Sequence, residues 1–296
     1  MGEGWQRTFS SLEKMIMPMT LPSPVLEWIE GARVRAWRKR RDLQEGVAIS
    51  ASPLEYVRFS HRLRRAGRET EPLTLKLRNG RSILVRPART HYGAPIDYGT
   101  AVDTFARKFH RPPRRLGSAP TIVDLGANVG YTVVDFALTY PGATIIGVEL
   151  DDRNFHLAER NVSGLDVQLL HAAIAERSGS VMYDRTLDFD GLHIDAEVRT
   201  EVATEVIAIT VPKLMDMFAL ESIDYLKMDI EGAEIPILFG SDVSWLDRVG
   251  QVGIEIHNDY PVTDVLELLR SHGMQAESSR THWATALGWR PGFEPD

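Results

Sequence analysis

From residue 121 onward, short apolar runs alternate with stretches of helical period. Thr121 to Leu125 is apolar except at Asp124, and a 3.6-residue period follows over about 129–139. Pro141-Gly142 then turns the chain into a strand at 143–148, with a helix at 153–161 and a strand at 166–170. Residues 179–184 and 204–208 predict two further short strands around a polar insertion, 185–201. A helix at 211–218, a buried strand at 222–228, a short helix at 233–238, a strand at 252–256 and a helix at 262–272 complete the alternation. The chain ends on an alternating stretch that includes Trp283, Leu287 and Trp289. Apolar strands spaced by helices imply an α/β fold, its mostly parallel sheet covered on both faces.

The first 115 residues read differently. A helix is predicted at 25–43, with Leu26, Ile29 and Val34 on one side, and another at 54–66. Leu73, Leu75 and Leu77 alternate with polar positions, and Asn79-Gly80 turns into 82–85, which is a hairpin signature. Pro112, Pro113 and the segment 117–120 mark a boundary, so the expected division is an N-terminal helical and hairpin extension, 1–115, and a main domain, 116–296.

Composition narrows the function. The absence of cysteine excludes disulfides, thiolate nucleophiles and thiolate-bound zinc. No apolar run approaches the ~18 residues of a membrane span, and the first residues, Met-Gly-Glu-Gly-Trp, lack a basic-then-apolar leader, so a cytoplasmic location is expected. Residues 1–115 carry 23 Lys+Arg against 11 Asp+Glu, and the remainder 11 against 30. Such parts attract one another within a chain or across a homodimer. The basic run around Arg38 to Arg41 lacks interleaved aromatics, and the main domain is acidic, so nucleic acid is not the expected partner.

The segment Asp124-Leu-Gly-Ala-Asn-Val-Gly130 has the form of a βα turn that holds a nucleoside. Its candidate cofactor residues are Asp124, Gly126, Asn128 and Gly130. A dinucleotide fingerprint would place a third glycine where Ala127 and Asn128 stand, and pyrophosphate favours bare amides over a strand-end carboxylate. Glu149, 23 positions after Gly126, has the spacing of an acid that binds ribose hydroxyls. Together these favour S-adenosylmethionine over NAD. The glycines alone would equally suit a bare turn, with Asp124 as a cap and Glu149 as a solvated acid. His171 and Ala172, at the end of the third strand, would flank the adenine, or His171 is a satisfied edge histidine.

Lys227-Met-Asp-Ile-Glu-Gly-Ala-Glu234 places Asp229, Glu231 and Glu234 at the carboxyl edge of the sheet, where open α/β sheets bind ligands. Glu255 and His257 share a face of the next strand by its period of two. Methyl transfer to oxygen benefits from a base, and an ordinary imidazole pKa of about 6.5 suits His257 to that role. Asp229 would orient the acceptor or serve as base itself. Asp229, Glu255 and His257 could also hold a divalent ion, although the spacing is no metal motif and a metal is not favoured. Lys227 is expected to pair with Glu231 or Glu234. His91, His110, His193 and His272 form no signature and receive no role.

These segments, with Ile254-Glu-Ile-His257, resemble the FkbM-type S-adenosylmethionine-dependent methyltransferases over about 118–260, and more weakly through Leu84-Val-Arg-Pro87. The resemblance implies a Rossmann-like class I methyltransferase fold with a seven-stranded sheet. It also implies O-methylation of a small hydroxylated natural product or sugar. Asp124, Gly126 and Glu149 would bind the cofactor, while Asp229, Glu231 and His257 would line the reacting pocket. After Arg86-Pro87 the family pattern calls for an acidic turn and a covering helix, whereas residues 88–98 intervene here with Asp97 as their acid. Tyr98 or Tyr92 would reach the substrate, beside Glu231 and Glu255. N-methylation by the same acidic pocket, and a non-catalytic binding protein of the same fold, are the alternatives.

Overall fold

The apolar segments from residue 121 onward assemble into one sheet. The computed structural model describes residues 40–67, 70–89, 96–184, 203–240, 242–282 and 284–292. The predicted helix at 25–43, except for residues 40–43, lies outside them, as do the insertion 185–201, Tyr92 and Trp283. Contacts divide the chain into Met1–Glu45 and Gly46–Asp296, and the architecture below is that of the second unit.

Strands β3 (Thr121–Leu125), β4 (Thr144–Glu149) and β5 (Gln168–His171) run parallel, with helices α3 (Tyr131–Thr139) and α4 (Asp152–Val162) between them. On the other side of β3 lie β9 (Ile223–Met228) and β10 (Val249–Glu255), also parallel. Beyond them β12 (Thr285–Trp289) pairs antiparallel with both β10 and β11 (Gln275–Ser278). The order β11-β12-β10-β9-β3-β4-β5 is mostly parallel, as the pattern predicts, and has the seven strands that the resemblance implies. Chain direction across the sheet reverses between β3 and β9, so a crevice opens at their carboxyl ends. Val123, Leu125, Leu226, Met228, Val252 and Ile254 are fully buried and fix the sheet's register.

A smaller sheet, in the order β6-β8-β7, carries β6 (Ala173–Ile174), β7 (Gly179–Asp184) and β8 (Ala203–Ile209). Helix α5 (Val211–Met217) leads from it to β9, α6 (Glu234–Phe239) follows β9, and α7 (Val262–Ser271) precedes β11.

Helix α1 (Pro53–Arg65) and the hairpin of β1 (Leu73–Lys76) and β2 (Ser82–Val85) appear where predicted. The hairpin is bound to the main domain: Tyr131 Oη donates to the Leu84 carbonyl at 2.7 Å, and the Leu84 amide donates to Asn161 Oδ1 at 2.7 Å. Where residues 88–98 were expected only to intervene, α2 (Ile96–Val102) begins and runs into a π-helical turn, Asp103–Arg107. At seven residues α2 is too short to announce itself by periodicity.

Residues 108–111 are pinned to α3 by one buried carboxylate. Asp135 accepts from Lys108 Nζ at 2.7 Å, His110 Nε2 at 2.9 Å and Arg111 Nη2 at 2.9 Å. Burial disfavours the charged carboxylate, yet the hydrogen bonds and charges of His110 and Lys108 hold Asp135 down to about 2.

Two stability predictions follow from this packing. A Cβ on Gly126, which has φ +83°, would stand 1.7 Å from the Asp229 carbonyl oxygen, whereas one on Gly80, at φ +88°, meets nothing within 4 Å. Gly126→Ala should therefore cost about 2–4 kcal/mol in urea unfolding and Gly80→Ala only about 1–2 kcal/mol. The depressed Asp135 stabilises the fold above its unfolded pKa of about 3.9 by roughly 2 kcal/mol, and this is lost as pH falls toward 2. Acid unfolding of Asp135→Asn should lack that component.

Candidate active site

Three turns build the crevice at the ends of β3, β4 and β9. Gly126 makes the first, because the Asp229 amide donates to the Leu125 carbonyl at 3.0 Å and leaves no room for a side chain. Asn128 adopts φ +49°, the left-handed region that asparagine tolerates. It thus takes up the glycine-like conformation at the position where a middle glycine was missing. Gly130, at φ +81°, lets α4 approach, and its Cβ would lie 3.1 Å from Ala158 Cα.

Glu149 ends β4 beneath this turn. Its Oε2 accepts the Asn128 amide at 2.7 Å and its Oε1 the Asp151 amide at 2.8 Å. Burial is the larger influence and raises the carboxyl to about 7, against the pull of those amides. A cavity of about 60 Å³ lies against Glu149, Asn154 and Ala172. It shares Gly126, Asn128, Asp229 and Glu231 with a larger one of about 240 Å³, whose far wall includes Thr100, Asp103, His110, Glu255 and His282. Arg86 links α2 to α4: it grips Asp97 through two hydrogen bonds of 2.9 Å and donates to Asn154 Oδ1 at 2.9 Å.

Not every expected residue lines these cavities. Asp124 is fully buried one layer behind, hydrogen-bonded by Thr132 Oγ1 and 3.1 Å from Lys227 Nζ. The register of β3 and β9 sets Asp124 opposite Lys227, so the lysine pairs with Asp124 and, at 3.3 Å, with Asp229. The predicted partners, Glu231 and Glu234, are not the ones it takes. Burial opposes the lysine's charge, but the two aspartates outweigh it and raise its pKa. His171 is exposed, lines neither cavity, and bonds the carbonyl of Leu150, a residue bordering the smaller one, at 2.9 Å while stacking on Phe155. Its placement is that of an edge histidine. Tyr98 packs against Phe59 of α1, ring centroids 5.7 Å apart, instead of facing the cavity.

Asp229, Glu231, Glu255 and His257 come together at the ends of β9 and β10, although His257 itself lines neither of these two cavities. Glu234 is fully buried and ties the turn after β9, accepting from the Ile230 amide at 2.9 Å and the Gly232 amide at 3.0 Å. It also bonds His257 Nδ1 at 3.0 Å. His257 Nε2 lies 3.4 Å from Glu231, 3.8 Å from Glu255 and 3.9 Å from Asp229. Burial works against its protonation, but the Glu234 bond and the surrounding carboxylates prevail and raise it to about 9. This direction favours the imidazolium, a cation among carboxylates, and weighs against the expected role of His257 as base. Glu255 is pushed up to about 7, first by burial and then by Asp229. Asp229, Glu255 and His257 are also the residues that could hold a metal, with ligand atoms within 4.8 Å of one another.

Asp103, His110 and His282 on the larger cavity were missed by sequence reasoning. They come from segments with no motif, and the one available signal was Asp135, an acid within the apolar run Val133 to Leu138. No helix among the described residues is long and apolar enough to cross a membrane.

Comparison with known proteins places this geometry. A family model described as "Methyltransferase FkbM domain" matches residues 124–276, just over half of the chain. Among curated proteins, Methyltransferase 1 of Beauveria bassiana is 28% identical over 191 residues, 55% of this chain and 75% of that protein. The 31-O-demethyl-FK506 methyltransferase FkbM of Streptomyces tacrolimicus is 27% identical over 186 residues, 51% of this chain and 71% of that protein. A solved structure of methyltransferase FkbM from Methylobacillus flagellatus KT is similar at a TM-score of 0.42 and 17% identity, covering 63% of this chain and half of that one. With its family segment spanning the glycine turn, the acidic turn after β9 and the end of β10, the chain belongs to the FkbM methyltransferase family and is a methyltransferase.

Proposed function

We propose that this protein transfers the methyl group of S-adenosylmethionine to a hydroxyl of a small polar metabolite, such as a sugar or hydroxylated natural product. The observation that carries the reading is the pair of joined cavities. The smaller, walled by Asn128, Glu149 and Ala172, has the chemistry of an adenosine site, with Glu149 to accept from ribose hydroxyls. The larger begins at Gly126 and Asp229 and ends among Thr100, Asp103 and Glu255, donors and acceptors suited to a hydroxylated acceptor. The name of the Streptomyces tacrolimicus relative, a 31-O-demethyl-FK506 methyltransferase, describes transfer to oxygen. Helix α2 and the turn after it would act as the cover of the pocket.

Residues of this chain contribute by position. Lys227, charged between Asp124 and Asp229, holds the two strand ends and donates to the Gly126 carbonyl at 3.2 Å. Asp229 borders both cavities and would orient the acceptor hydroxyl toward the sulfonium methyl, a near-attack alignment. A second reading, methylation of an amine, is favoured by the acidic wall of Asp103, Asp229, Glu231 and Glu255, which would attract a cation. Mass analysis of the product separates an ether from a methylated amine.

Calorimetry tests the cofactor. Binding of S-adenosylmethionine and S-adenosylhomocysteine is expected, and tight binding of NAD alone would end the reading. Ribose donors favour the ionised form of Glu149, which lies at about 7 in the free protein. Affinity for S-adenosylhomocysteine should therefore rise as pH climbs to 7 and level off above it. Glu149→Gln should flatten that profile and weaken binding about 10- to 100-fold, the worth of a charge-assisted hydrogen bond.

Transfer from tritiated S-adenosylmethionine to hexoses, polyols and hydroxylated macrolactones tests the reacting end. Asp229→Asn and His257→Gln, assayed separately at saturating cofactor, should each lower turnover at least about tenfold. Unchanged turnover in both would remove these residues from the site.

A further inference from the structure

One titratable side chain on the wall of the larger cavity, His110, is paired with a carboxylate, Asp135, that does not line it. His110 lines the larger cavity, close to Tyr225, Lys227 and Gly126 along its wall. Its ring is only 3% exposed, and Asp135 Oδ2 holds Nε2 at 2.9 Å. Its backbone is fixed as well, since Tyr225 Oη donates to the His110 carbonyl at 2.8 Å. The edge of Phe136 packs against the ring, centroids 4.9 Å apart. Nδ1, in contrast, is buried and has no hydrogen-bond partner among the described residues.

An imidazole whose Nε2–H donates to a carboxylate carries its free lone pair on Nδ1. Leaving such an atom buried and unpaired costs about 1–3 kcal/mol, a cost that a bound acceptor would remove by displacing the side chains that shield Nδ1 from the cavity. We infer that His110, oriented by Asp135, is the general base of the transfer and takes the acceptor's hydroxyl proton on Nδ1. This rests on the methyl-transfer reading above. As the O–H bond breaks, its electron pair stays on oxygen and the proton goes to Nδ1. Oxygen forms the new O–CH3 bond, and the S–CH3 pair remains on sulfur, giving an ether and S-adenosylhomocysteine. The resulting imidazolium is stabilised by Asp135 and returns its proton to solvent.

The charges facing the ring suit this role. Burial is the largest influence and lowers the His110 pKa, Asp135 and the more distant Asp124 raise it, and Lys227 lowers it again. The net direction is downward, so the ring is neutral and ready to accept at neutral pH. His257 differs: its Nδ1 is taken by Glu234 and its Nε2 faces carboxylates.

The chemical state can be read without any acceptor. In the full chain labelled with 15N-histidine, with His110→Gln identifying the signal, His110 should be neutral at pH 7 with its proton on Nε2. An imidazolium at pH 7, or a proton on Nδ1, overturns the proposal. His110→Gln, which keeps a donor toward Asp135, should lower kcat about 100-fold or more, as expected for loss of a general base. Its S-adenosylhomocysteine affinity should stay within about twofold by calorimetry, because the base does not hold the cofactor. The wild-type rise of kcat with pH should vanish in this variant. Asp135→Asn should shift that rise to lower pH, which a merely structural role would not do. Retention of more than about a tenth of kcat by His110→Gln overturns the base role. If the wild-type protein fails to bind S-adenosylhomocysteine, the cofactor reading falls instead, and the histidine spectra still decide the state of His110.

Discussion

The close approach of two strand ends sets the form of the whole site. Where β3 and β9 finish side by side, Asp229 bonds the end of β3 through its amide, and its carbonyl occupies the space a side chain on residue 126 would need. One layer below, Asp124 and Lys227 face each other across the same strand pair, both removed from water. A buried pair of this kind adds little net stability when intact, but loss of either partner strands a charge at a cost of about 3–5 kcal/mol. The pair therefore fixes register more than it strengthens the sheet. With register fixed, Gly126 and Asp229 meet at the mouth of the crevice, and the cavities on either side share them as a common wall.

Two polar groups, one on each cavity, are perturbed by burial. Glu149 is pushed toward neutrality although two amides point at it, and His110 keeps an unpaired nitrogen. Neither arrangement serves folding. Each becomes favourable once a ligand supplies what is missing, donors for the carboxylate and a donor for the imidazole. Strain of this sort concentrates where binding repays it. The Arg86–Asp97 pair ties α2 to the same region, because Arg86 touches both the helix that starts at Ile96 and the Asn154 side chain beside the smaller cavity.

Much of this was legible in order of sequence. Apolar runs with period two and 3.6 located the strands of the large sheet except β11, because burial on both faces leaves little freedom in residue choice. The turn residues from Gly126 to Gly130 and the acid at Glu149 were legible for a local reason: each is fixed by its neighbours within a βα unit. Long-range pairing was not legible. Lys227 was expected to bond acids within its own turn, yet the register of β9 on β3 decides its partners. His110 and Asp135 are 25 positions apart and meet only because residues 103–111 fold back over α3. Asn128 shows the limit of motif reading from the other side, since a missing glycine was replaced by a residue that adopts the same backbone conformation.

The two histidines at the site show how surroundings, not residue type, assign chemistry. His257 has four carboxylates within 4 Å, so its proton is favoured and its imidazole acts as a fixed positive charge. It balances Asp229, Glu231 and Glu255, which would otherwise repel one another and any electron-rich oxygen brought near. His110 has one carboxylate, one open nitrogen and almost no water. That environment keeps it neutral and leaves a lone pair directed away from Asp135. A cation that gathers the acidic residues and a neutral base that receives a proton are different tasks, and one histidine could not perform both at the same pH. Dividing them between β10's end and the segment after the π-helical turn lets the acidic wall stay organised while the proton moves elsewhere.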